Sequence, residues 1–187
     1  IISRVKPVQC CQIGMVLAKG ETVGLVGDDA IFSPYAWDEI HALYKESNDY
    51  KTIVSMNWWE HGKNYKGLVM FGDIQLPTGC SVMSKQFFME LGGYDKTFIK
   101  RQADMDLFIR AVAKGATIKY PEEKFLHGVE WPYDGSTQHL FPVDHDLYAT
   151  KWTLVNGQLS QRVRDSFFEF NDTIYEVSQG SRDDRYA

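Results

Sequence analysis

Val23-Gly24-Leu25-Val26-Gly27-Asp28-Asp29-Ala30-Ile31-Phe32 is a short apolar run broken by two adjacent carboxylates. A Val- and Gly-rich run of this length reads as a buried strand. Two carboxylates side by side at its end repel each other, and neither is cheaply buried. A hard divalent cation removes that cost, because Mg²⁺ is typically held by protein carboxylates with substrate phosphates completing its shell. Strand ends of open α/β sheets are also where ligands bind. The plainer alternative is a turn, with Asp28 opening it and Asp29 capping it. The functional expectation is a metal site for a phosphorylated ligand.

Outward from this stretch, strands alternate with helices. Residues Pro7 to Lys19 read as a helix with Val8, Cys11, Met15 and Ala18 on one face, stopped by Gly20. Ser33-Pro34 reads as a cap and first-turn proline for a helix that fades at Asn48, with Trp37, Ile40 and Tyr44 as its apolar stripe. Strands are expected over 52–56, 66–71, 80–83, 117–120 and 125–127. Ser84 is expected to cap a helix closed by Gly92-Gly93, and a second helix runs from about Ala103 to Lys114. The region after Leu147 reads as one or two helices carrying Trp152, Val155, Val163, Phe167 and Phe170, a helical extension over about 144–177. A polar tail follows over 178–187. This alternation predicts an α/β domain with a largely parallel sheet over 1–177.

The chain has 187 residues and a net charge of −5, which suits one domain and argues against a nucleic-acid groove. No apolar stretch is long enough to span a membrane. Cys10, Cys11 and Cys80 lack a zinc spacing and read as reduced thiols, which predicts a cytoplasmic protein.

Two further constellations carry chemistry. The first is Gly92-Gly93-Tyr94-Asp95 followed by Asp104, Asp106 and Arg110. Asp104 and Asp106 fall in the first turn of a helix, where the dipole favours carboxylates, and Asp104 reads either as an N-cap or as a general base at the mouth of the sheet. Arg110 lies four residues beyond Asp106, at ion-pair spacing. The second is Phe125-Leu126-His127-Gly128, where a histidine after a short strand is within reach of a metal.

Taken in order, VGDDAIF, LPTGCSVMSKQFFMELGGYDKTF, ADMDLFIRAVAKG and FLHG resemble the later part of a GT-A glycosyltransferase, nearest to the family 2 inverting enzymes, over about Cys11 to His127. The resemblance implies a GT-A-like mixed, mostly parallel sheet flanked by helices. It also implies a chain that lacks the N-terminal strand–helix units holding the nucleotide base, and hence weak nucleotide affinity. On the same ground the activity is metal-dependent transfer of a sugar from a nucleoside-diphosphate sugar to a carbohydrate or other acceptor hydroxyl, with inversion.

The residues follow from the matching motifs. Asp28 and Asp29 stand at the Asp-x-Asp-type motif, Asp29 on Mn²⁺ or Mg²⁺ and Asp28 near the ribose. Asp104 matches the base, and Asp106 and Arg110 match residues that support it. His127 matches a further metal ligand, and Gly79 a turn lining the donor sugar. The sequence departs from the family at Ala30 and Ala103, where acidic residues are usual.

Two other function classes fit the same residues. One is a non-catalytic sugar- or nucleotide-binding remnant of the fold. The other is a metal-dependent phosphoesterase using Asp28, Asp29, His127 and His139 or His145. The aromatics Trp58, Trp59 and Trp131 read as an acceptor platform or as core lids. His139, Asp144 and His145 read as part of a lid over the donor. An open sheet edge would pair two copies into a homodimer.

Overall fold

The computed structural model describes residues 6–27, 30–60, 63–65, 67–122, 126–128 and 141–167, with the backbone alone for 60, 63–65, 127, 128 and 141. The main sheet holds β1 (Thr22–Leu25), β3 (Thr52–Ser55), β8 (Ser81–Ser84) and β9 (Thr117–Lys119), in the order β1-β8-β3-β9. β8 runs antiparallel to both β1 and β3, and β3 pairs in parallel with β9. The chain is therefore α/β with a mixed sheet. It is less parallel than the alternation of elements suggested, because β8 is threaded between two strands that point the same way.

Alternation along these strands sends neighbours to opposite faces. Ile53 and Met83 meet α1 (Pro7–Leu17), α3 (Lys85–Glu90) and α4 (Ala103–Ala113) through Val8, Phe87, Phe88, Leu107 and Phe108. Val54 and Val82 meet α2 (Ala36–Ser47) through Ala36 and Ile40 on the other face. β3 is buried throughout, as a central strand covered on both sides must be. Ser84 caps α3 as expected, its Oγ accepting from the Phe87 amide at 2.9 Å. Ser33 does not cap α2. The helix begins after Tyr35, which is held at φ +63°.

A second sheet, in the order β2-β10-β4-β5, joins β2 (Ala30–Phe32), β10 (Leu126–Gly128), β4 (Trp58–Glu60) and β5 (Lys63–Tyr65). Trp58 and Trp59, outside the strands expected from the sequence, thus lie in a strand. The opening stretch, expected as one run, is two strands, β1 and β2. A hairpin of β6 (Leu68–Phe71) and β7 (Ile74–Pro77) follows.

The C-terminal reading needs correction. α5 (Phe141–Lys151) starts before the expected helix, and Trp152 to Gln161 is a hairpin of β11 (Trp152–Val155) and β12 (Gln158–Gln161). Its turn is Asn156-Gly157, both at positive φ, the two-residue turn whose twist matches a hairpin. The tail over 178–187 lies outside the described residues. Among the described residues no helix is long and apolar enough to cross a membrane.

Candidate functional site

α4 begins after Gln102, which sits at φ +59° with no side-chain cap. Asp104 is its second residue, and it lines a cleft of about 410 Å³ with Val8, Cys11, Leu25, Tyr94 and Lys100. Burial pushes the Asp104 carboxyl above its ordinary value of 3.8, while hydrogen bonds from the Met105 amide and its own amide pull back. Gln102 is the N-cap, so Asp104 is not the cap that its sequence position also allowed; its carboxylate accepts from first-turn amides and lines the cleft. Two groups near it, the Cys11 thiol and the Tyr148 phenol, stay uncharged at neutral pH. Burial, with the nearby Cys10 and Asp104 charges, pushes the Cys11 thiol up to about 11. Burial, with the Asp104 and Asp106 charges, pushes Tyr148 up to about 12. A carboxylate in such surroundings is a stronger proton acceptor than one in water.

Gly79 lies against this group. A Cβ added there would stand 2.6 Å from Asp104 Oδ2, so the turn after β7 approaches the carboxylate as only glycine can. Leu25, the last residue of β1, also lines the cleft, three positions before Asp28.

Asp28 and Asp29 lie outside the described residues, as does Trp131. The backbone on either side of the pair is described. β10 pairs antiparallel with β2, setting His127 opposite Ile31 and Gly128 opposite Ala30. The His127 backbone is thus brought beside the strand that leaves Asp29, although its side chain lies outside the described set. β10 also pairs in parallel with β4, placing His127 next to Trp59. Trp58 packs on the second core, which favours its reading as a core residue.

Asp106 and Arg110 form a buried knot rather than facing the cleft with Asp104. Arg110 donates to Asp106 Oδ2 through Nε at 3.0 Å and through its terminal nitrogen at 2.9 Å. The guanidinium also donates to the carbonyls of Leu91 and Gly93, clamping the Gly-Gly turn to α4. The Trp152 indole donates to Asp106 Oδ1 at 2.7 Å. Among the described residues, Asp95, Asp106 and Asp165 each offer an oxygen within 4.8 Å of the others, a spacing that could hold a metal ion. The Lys151 ammonium already sits among them, 2.7 Å from Asp95, 2.6 Å from Asp106 and 2.7 Å from Asp165. Burial would lower the Lys151 pKa, but the surrounding carboxylates outweigh it and raise it. Burial would likewise raise Asp95, but hydrogen bonds from Lys151 and Thr97 hold it below 3.8.

Sequence reasoning missed the face of α5 that builds these contacts. Asp144, Tyr148 and Lys151 recur at four and three residues, one helical face, but a face this polar hides from any search for apolar periodicity. Asp144 is fully buried and is no lid residue.

Comparison with known protein families finds no matching model, and comparison with curated proteins finds no match.

Proposed function

We propose that this chain carries the catalytic part of a metal-dependent inverting glycosyltransferase, acting from a nucleoside-diphosphate sugar on an acceptor hydroxyl. The observation that carries the reading is Asp104: a carboxylate with a raised pKa, at a helix start, lining a cleft and touching the Gly79 turn. In this reading Asp104 takes the acceptor proton as the hydroxyl oxygen attacks the anomeric carbon opposite the leaving diphosphate. One carboxylate suffices, so the configuration inverts. Asp29 and His127 would hold Mn²⁺ or Mg²⁺, with Asp28 near the ribose, and the ion would stabilise the charge that develops on the departing diphosphate. The pairing of β2 with β10 supports that set by placing the His127 backbone opposite Ile31, in a strand that begins at Ala30, the residue after Asp29 in sequence. Gly79 lets its turn approach Asp104 closely, and in this reading that turn lines the donor sugar.

A second reading, a sugar- or nucleotide-binding module without turnover, draws on Ala103. That residue is buried in the core next to Asp104 and offers the base no polar support. Mn²⁺-dependent hydrolysis of nucleoside-diphosphate sugars separates the two. The transferase reading expects donor hydrolysis that Asp104→Asn abolishes. Donor binding without hydrolysis in the unmodified chain would favour the module.

A further inference from the structure

Asp144 is fully buried in the first turn of α5, yet no positively charged side chain is needed to account for it. Its two oxygens accept from three consecutive backbone amides: Ile99 at 2.9 Å, Lys100 at 2.9 Å and Arg101 at 2.8 Å. Charge-assisted bonds of this kind are roughly twice as strong as neutral ones. The same loop is held from its other side, since the Val8 amide donates to the Ile99 carbonyl at 3.0 Å and the Lys6 ammonium donates to the Lys96 carbonyl. The next residue of the helix, His145, meets the side-chain Nε2 of Gln102 through Nδ1 at 3.1 Å. Lys100, Arg101 and Gln102 all line the cleft that holds Asp104.

We propose that Asp144, aided by His145, is a positioning residue for the Asp104 cleft: by gripping the 99–101 amides it sets the cleft wall and the start of α4. The proposal rests on the transferase reading for its catalytic consequence, but not for its geometry. Gln102 is held in the left-handed region, a strained conformation that a residue with a side chain keeps only where its surroundings enforce it. Asp144 and His145 grip the residues immediately before and at that strained position. Without them the turn relaxes, and Asp104, two residues on, moves with it. A shift of about 1 Å at a catalytic group can cost about 100-fold in rate. α5 therefore acts as a fixed brace on the cleft.

The test uses the full chain with Asp144→Asn, which keeps the side-chain shape but presents one acceptor oxygen to three amides. Hydrogen exchange at 99–101 should rise about tenfold, the change expected from losing one such bond. The ¹³C-methyl resonance of Met105, which lines the cleft, should shift. With Mn²⁺ and UDP-glucose as probe donor, kcat should fall about 10- to 100-fold while KM and the affinity for UDP stay within about threefold. Exchange and a Met105 methyl that both match the unmodified chain overturn the proposal, and so does a loss of UDP affinity as large as the loss of turnover. If the unmodified chain neither binds UDP nor hydrolyses the donor, the transferase reading fails, and the exchange and methyl signals decide the brace by themselves. Should Asp144→Asn fail to fold, the exposed His145→Ala carries the test, with a shifted Met105 methyl expected and an unmoved one overturning the proposal.

Discussion

Replacing Lys151 with alanine removes the one ammonium that three carboxylates share. Lys151, Asp95 and Asp106 are each at most 1% exposed, so the three carboxylates are left short of countercharge, with Arg110 still paired to Asp106 and little water to screen them. Breaking a buried ion pair by deleting one partner costs about 3–5 kcal/mol. For a chain of this size each kcal/mol shifts the melting temperature by about 2–4 °C, so Lys151→Ala should melt about 6–20 °C lower. Thermal unfolding followed by circular dichroism at neutral pH reads this directly. The loss should depend on pH. Because Asp95 is held below 3.8 in the folded state, its contribution is complete above that value and disappears as pH falls through the folded pKa. Lys151 is raised above 10.5, so its contribution is complete below 10.5 and fades as pH rises past the raised value. The gap between variant and parent should therefore narrow at both extremes. Emptying the centre also leaves three oxygens at a spacing suited to a cation, so Mn²⁺ or Ca²⁺ should raise the melting temperature of Lys151→Ala by more than that of the parent. A variant that melts within about 2 °C of the parent at neutral pH, metal-free, would refute the view of this knot as a keystone.

Gly79→Ala should slow turnover without unfolding the protein. The new Cβ drives Asp104 Oδ2 from 2.6 Å to the 3.4 Å of ordinary contact, a shift of about 0.8 Å, and steady-state kinetics should show a fall of about 10- to 100-fold in kcat. The acid limb of the kcat profile should lie above 3.8, because Asp104 must be ionised to act and burial raises its pKa; activity then vanishes as pH falls through that raised value. A limb at or below 3.8 would show that another group controls the rate. Trp152→Phe keeps the ring but takes the indole donor from Asp106, and urea unfolding should record a loss of about 1–3 kcal/mol.

Periodicity and turn chemistry made much of the fold legible in advance. Ser84, Gly92-Gly93 and Gly115 mark helix ends where the structure has them, because capping and left-handed turns are decided by a residue and its immediate neighbours. The hairpin at Asn156-Gly157 was equally local, and was missed only because the spacing of Trp152, Val155 and Val163 also suits a helix. The reading of Asp104 as a cleft carboxylate agrees with its place in the structure. The pairing of Asp106 with Arg110 also holds, at the spacing of one helical turn.

Sequence alone determined the elements and the chemical types at their ends, since these depend on contacts within a few residues. Tertiary structure alone decided which carboxylates face water-accessible space and which are locked inside. Asp104 and Asp106 are two positions apart on one helix, yet one lines a cleft and the other is enclosed by Arg110, Lys151 and Trp152. That division depends on α5 and the β11–β12 hairpin folding back over α4 from some 45 residues later, and a charge is indifferent to sequence distance but not to the dielectric around it.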